Sequence, residues 1–218
     1  LDMLDFECIA VFDDPENGYH GNIAAVIVLD EPLTEDTMQR IAADLAQPAT
    51  TFLWSATEKD TYHVRWFAPD DEIGLCGHGT LAAVASLGRS VVLQAKSGTL
   101  SGQVVDGSHA SMRLAAIPVI KTVEPPEGLE KALGVEIKGY YKTNNKDIVL
   151  IKDERTLVSM QPDFAAMREI DVFGYAVTAP GNECDFVSRT LVPHVRQLED
   201  HATGSSHAAL VPFWWDKL

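Results

Sequence analysis

Apolar positions fall in short runs broken by turn residues, with two longer small-residue stretches. Residues 6–12 alternate well enough for a strand, and 24–29 form a continuous apolar run of the kind a buried strand needs. Between 6–12 and 24–29, Asp13-Asp14-Pro15-Glu16-Asn17-Gly18 is turn chemistry. Thr34 can cap a helix whose first turn carries Glu35 and Asp36. Met38, Ile41, Ala42 and Leu45 follow at helical spacing, so one face of that helix is apolar. Strands are expected over 51–54, 62–67 and 90–96, and a hairpin around Asp106-Gly107. Val123-Glu124-Pro125-Pro126-Glu127-Gly128 reads as a linker. Beyond it, 139–143, 148–151, 174–178 and 185–190 read as strands and 163–168 as a short helix.

The two small-residue stretches organise the rest. Gly74-Leu75-Cys76-Gly77-His78-Gly79-Thr80-Leu81 runs into Ala82-Ala83-Val84-Ala85, a glycine-rich turn opening into a helix that can pack closely. Residues 204–215 start small and turn apolar in the same way. Each stretch follows an R-x-x-x-P strand end, Arg65-Trp66-Phe67-Ala68-Pro69 and Arg189-Thr190-Leu191-Val192-Pro193. Matched halves point to two similar domains facing each other across a cleft, with boundaries expected at 1–118 and 119–218. A chance likeness of two β-turn-α units is the alternative.

Net charge narrows the partners. At -15 the chain repels phosphate backbones, which argues against nucleic acid. No apolar run approaches a membrane span and no signal peptide is visible. Cys8, Cys76 and Cys184 are odd in number and scattered, as for free thiols in a reducing, cytoplasmic compartment. Neither H-E-x-x-H nor C-x-x-C occurs, so no metal site is expected. The chain starts at Leu1 rather than Met and is read as trimmed there.

The candidate chemistry sits at the two turns. The first N–H groups of a helix point at whatever occupies the turn and favour anions. His78, near such an end, is expected to have a lowered pKa and to serve as an acid/base group, or else to hold the turn by a structural hydrogen bond. Cys76 is either a thiolate or a buried inert thiol. Asp200 either orients His78 or moves a proton, and otherwise is an acidic loop residue. Ser205 either donates to substrate or caps the last helix. Cys8 and Cys184 are expected to be packing residues, and Trp214-Trp215 core or a subunit contact.

Several of these residues together resemble the phenazine-biosynthesis PhzF-like family. They are Gly21-Asn22, Arg65-Trp66-Phe67-Ala68-Pro69, Leu75-Cys76-Gly77-His78-Gly79-Thr80-Leu81, Val177-Thr178-Ala179-Pro180-Gly181, Asp185-Phe186-Val187-Ser188-Arg189, and Glu199-Asp200 with Ala202-Thr203-Gly204-Ser205. The resemblance implies an α+β, diaminopimelate-epimerase-like fold of two pseudo-symmetric domains, each a curved, mostly antiparallel sheet around a central helix. It implies cofactor-independent isomerisation or epimerisation of a small amino-acid-like or cyclic carboxylate by proton transfer. By the same resemblance His78 and Asp200 are catalytic and Ser205 lies on an active-site position. Gly77, Gly79, Thr80, Gly204 and Ser205 hold the substrate, with a homodimer as an allowed assembly.

Three departures qualify this reading. The family's acid/base glutamate falls on Ala49 in Pro48-Ala49-Thr50-Thr51-Phe52. The family's D-P-x-T-G-S reads Asp200-His201-Ala202-Thr203-Gly204-Ser205 here. The C-terminal domain is expected to be incomplete at its end. Two alternatives follow. One is a non-catalytic carboxylate binder on the same fold. The other is a two-base racemase using Cys76 and His201, taken as pseudo-symmetric mates; a Cys76 nucleophile is a further, lesser reading.

Overall fold

A computed structural model describes residues 3–107 and 109–218. The chain forms two compact units, Leu1–Leu114 and Ala115–Leu218, each with its own sheet.

In the first unit β1 (Glu7–Val11) pairs antiparallel with β2 (Asn22–Leu29), in a register setting Cys8 opposite Ala25. From β2 the chain crosses through α1 (Glu35–Leu45) to β3 (Ala49–Ser55), which lies parallel to β2. The expected cap is present: Thr34 accepts from Thr37 N at 3.3 Å. β4 (Thr61–Phe67) runs antiparallel to β3, and the two-residue β5 (Glu72–Ile73) pairs on β4. After α2 (Gly77–Leu87), β6 (Val91–Ala95) lies parallel to β4, and β7 (Gly98–Val104) and β8 (Ala110–Arg113) complete the sheet. β7 and β8 are the hairpin expected around Asp106-Gly107; Ser108 lies outside the described residues.

Both faces of the central strands are covered, which is why β2 reads as a continuous apolar run. Ala24, Val26, Ala49, Leu53 and Trp66 pack with Ala82, Ala83 and Val84 of α2. Ile27, Leu29, Phe52 and Phe67 pack with Met38 and Ala42 of α1. Small residues let α2 sit close to the sheet. A Cβ on Gly102 of β7 would fall 2.2 Å from Val84 Cγ2.

The second unit repeats this order. β9 (Lys121–Val123), β10 (Gly139–Lys142) and β11 (Asp147–Leu150) pair antiparallel, and β11 runs parallel to β12 (Tyr175–Pro180). β13 (Phe186–Val192) and β14 (Leu198–Asp200) follow antiparallel, and α6 (Gly204–Trp215) comes last. Three short helices, α3 (Leu129–Leu133), α4 (Glu154–Ser159) and α5 (Phe164–Arg168), lie between these strands in sequence. Hairpin, parallel crossover, antiparallel strand, short strand and small-residue helix recur in the same sequence as β1 to α2. The fold is α+β, with two pseudo-symmetric domains of epimerase type.

The stretch expected to be a linker, 123–128, lies inside the second unit, where it joins β9 to α3. Its Pro-Pro pair breaks regular structure there without separating compact bodies. Trp214 is core: its ring stacks on Phe186 and its Nε1 donates to Thr178 Oγ1 at 3.0 Å, while Trp215 is exposed. Cys8 and Cys184, expected to be packing residues, are exposed because β1 and the loop before β13 present them outward, and none of the three cysteines is in a disulfide.

Candidate active site

The start of α2 is held by its own sequence. Cys76 is the N-cap, and its Sγ accepts from Gly79 N at 3.4 Å. Sγ also lies 3.4 Å from His78 Nδ1, and Thr80 Oγ1 donates to Cys76 O at 2.6 Å. Thr51, on β3, donates to Gly79 O at 3.2 Å and ties the turn to the sheet. Residues 77–84 are all buried, His78 among them with 5% of its surface exposed. Gly79 is required by close approach. A Cβ there would lie 2.8 Å from both Thr51 Oγ1 and Trp66 Cδ1, and 3.1 Å from Cys76 Sγ. Trp66 Nε1, beside this turn, is a buried donor with no hydrogen-bond partner among the described residues, a feature the sequence did not disclose.

The start of α6 has the same backbone form. Its N-cap is Thr203, at φ -118° and ψ 101°, against -121° and 106° for Cys76. Thr203 makes no side-chain cap; its hydroxyl donates to Asp200 Oδ2 at 2.5 Å. Ser205 and Ser206 are buried in the first turn, and Ser206 Oγ pairs with Thr190 Oγ1 at 2.9 Å. Lys146 Nζ reaches Ser205 Oγ at 3.0 Å. Neither Lys146 nor Thr190 was among the residues expected to matter.

The repeat arginines do matching work. Arg65 grips Glu72 with two hydrogen bonds of 2.7 Å, and Arg189 grips Glu199 with bonds of 2.7 and 2.8 Å. Hydrogen bonding from Arg65 is the main influence holding the Glu72 carboxyl below the usual carboxylate range; partial burial opposes it and Lys96 adds to it. Glu72 and Glu199 each precede their helix cap by four residues, so the fork fixes the loop that carries the turn.

This frame corrects one equivalence. Counted from either helix start, the mate of Cys76 is Thr203, and the mate of His78 is Ser205. His201 lies two residues earlier and is exposed. The cap residue, not the central glycine, marks equivalent geometry in the two turns.

The family model for phenazine biosynthesis-like proteins (PhzC-PhzF) matches residues 10–218. The chain belongs to that family. It is 36% identical over 228 residues to an uncharacterized isomerase of Pseudomonas aeruginosa, covering 100% of this chain and 84% of the relative. A crystal structure of a PhzF-family phenazine biosynthesis protein from Enterococcus faecalis superposes with a TM-score of 0.83 at 32% identity, covering 98% of this chain and 83% of that one. A hydroxyproline epimerase from Agrobacterium vitis shares the fold, with a TM-score of 0.59 at 14% identity over 90% of this chain and 74% of that one.

Ala49 opens β3, is fully buried beside Ala24 in register, and belongs to the same apolar cluster as Cys76. A methyl group occupies the place that the family resemblance gives to an acid/base carboxylate. Among the described residues, no group of three or more His, Cys, Asp or Glu could hold a metal ion, and no helix is long and apolar enough to cross a membrane. A cavity of about 290 Å³ in the first unit, lined by Lys59, Ser101, Ser111 and Arg113 among others, includes neither helix turn. Its place on β6 to β8 sets it apart from the candidate chemistry, which is carried by the turns.

Proposed function

We propose that this PhzF-family protein is an isomerase that moves a proton within a small amino-acid-like or cyclic carboxylate without a cofactor. The observation that carries the reading is the α2 turn, where a buried imidazole sits in the first turn of a helix beside the Cys76 thiol. His78 is the principal acid/base group, since imidazole exchanges protons near neutral pH. Asp200, oriented by Thr203, is the second. Gly77, Gly79 and Thr80 on α2, and Gly204 and Ser205 on α6, supply the donors that hold carboxylate oxygens. The expected location is cytoplasmic and the expected assembly a homodimer.

Ala49 favours a second reading. With no carboxylate at that position, the chain keeps the anion-binding turns and acts as a binder of the same class of ligand. The two-base alternative is weaker, because Thr203 rather than His201 matches Cys76.

Turnover separates these readings. A panel of small amino acids and cyclic carboxylates, followed by chiral chromatography, should reveal interconversion by the intact protein. Removing a positioned general base costs about 10²–10⁴-fold in rate, and His78→Ala should lose about that much. Interconversion unchanged in His78→Ala would overturn the assignment.

A further inference from the structure

We propose that the outer face of β6, β7 and β8 is a second ligand site in the first unit, a groove for a small anionic polyol of the sugar-phosphate kind. This goes beyond the isomerase reading and uses none of its residues.

Strand alternation sorts these three strands into two faces. Val91, Leu93, Leu100 and Ala110 point into the apolar cluster around α2. Their neighbours point the other way, and the register lines them up. Val92 lies opposite Ser101, Ser101 opposite Arg113, and Gln103 opposite Ser111. On this outer side α1 packs over β2, β3 and β4, whereas Val92, Ser101, Gln103 and Arg113 are exposed. The cavity of about 290 Å³ opens here, with Lys59 and Asp60 of the β3–β4 loop as its far wall. Val92 N donates to Asp60 O at 3.0 Å and fixes that wall to the sheet. The volume is close to the roughly 300 Å³ at which small-ligand pockets begin.

Cation pairing singles the groove out. Arg65 and Lys96 are paired with Glu72, Arg89 with Asp60, and Arg40 Nε donates to Asp36 O. Lys59 and Arg113 are the remaining lysine and arginine of the first unit, and both line the groove. Among the described residues neither makes an ion pair or a side-chain hydrogen bond, and the side chains of Ser101, Gln103 and Ser111 make no hydrogen bond either. Asp60, the acid of the lining, is offset by Arg89 at 3.2 Å. A guanidinium fork takes two oxygens of one phosphate, and an ammonium adds a point charge. Serine hydroxyls and a glutamine amide both donate and accept, as sugar hydroxyls do. A neutral sugar leaves the two cations unmatched, and bare phosphate leaves the serines and Gln103 unmatched. The chain's net charge of -15 opposes anions at long range. At about 0.15 M salt the Debye length is about 8 Å, so distant carboxylates are screened while contacts inside the groove persist.

The test reads binding rather than turnover. The intact chain, labelled with ¹⁵N and held at about 0.15 M salt, is titrated separately with glucose 6-phosphate, glucose and inorganic phosphate. Glucose 6-phosphate should shift the Val92, Ser101, Gln103 and Arg113 amides saturably, and bind about tenfold tighter than either of the others. Loss of a charge-assisted hydrogen bond corresponds to about tenfold in affinity, so Arg113→Gln should weaken glucose 6-phosphate by about that much. Unchanged affinity in Arg113→Gln overturns the proposal. If Arg113→Gln does not fold, Lys59→Gln in the exposed β3–β4 loop decides in the same way: weakened binding supports the groove and unchanged binding overturns it. Inorganic phosphate that binds as tightly as glucose 6-phosphate marks an adventitious ion only, and overturns it too. His78→Ala should leave these shifts as they are. Shifts that vanish in His78→Ala, or that fall on the Gly77 and Gly79 amides instead, place the ligand at the α2 turn and overturn the groove while leaving the isomerase reading in place.

Discussion

Cys76 and Thr203 are counterparts: each caps a small-residue helix, with φ and ψ agreeing to within a few degrees. The two side chains do different work. Cys76 bonds its own helix turn and lies against His78, whereas Thr203 makes no bond to its helix turn and holds Asp200 instead. Thr203→Val keeps the shape and removes the hydroxyl. Loss of one hydrogen bond to a carboxylate is worth about 1.5–3 kcal/mol, so catalysis through Asp200 should fall by about tenfold or more, read as kcat against an unchanged fold. His201→Ala should leave turnover near the parent value. A crippled His201→Ala with an indifferent Thr203→Val would restore the two-base reading.

Gly79→Ala tests the packing of the α2 turn. The added methyl meets Thr51, Trp66 and Cys76 at 2.8–3.1 Å. Overpacking costs about 1–3 kcal/mol, against a gain of about 1 kcal/mol from helix propensity. Net destabilisation is expected in chemical denaturation. An unchanged or raised midpoint would mean that the turn is looser than described.

The matched arginine forks explain how the turns are presented, and Glu72 gives a pH handle on one of them. Its folded-state pKa is lowered, first by Arg65. Such a carboxylate contributes stability above its unfolded pKa, about 4.3, and that contribution is lost as pH falls through the folded value. Glu72→Gln should therefore cost about 1 kcal/mol at pH 7, and the variant and parent should converge below about pH 4. Parallel stability curves down to acid pH would show that the fork contributes nothing.

Strands and long helices were legible because each carries many periodic positions. The middle of β2, Ala24 to Ile27, reads as a continuous apolar run because α1 and α2 pack on its two faces, and α1 announces itself through Thr34 and the Met38-to-Leu45 spacing. β5 and β14 are two and three residues long, and so carry no period to read. α3 is only five residues, yet Gly128 and Gly134 bracket it in left-handed conformations, a signal available in the sequence. At the site, the glycine turns and His78 were visible as a motif. The offset between Cys76 and His201 does not show when the turns are matched on their central glycines, although Thr203 before Gly204 has the side chain of an N-cap. Lys146 was hidden altogether. Asn144-Asn145-Lys146 has the composition of a solvated turn, and only the strand register carries the lysine to the α6 side.

The central claim is that the turns move a proton despite Ala49. Deuterium incorporation from heavy water into a bound small carboxylate, read by mass spectrometry, tests it most directly, with the Ala49→Glu variant as comparator. The intact protein should exchange the substrate's carbon-bound hydrogen above background, and His78→Ala should lower that exchange by about 10²–10⁴-fold. Exchange confined to Ala49→Glu would contradict the claim and mark the natural protein as a binder.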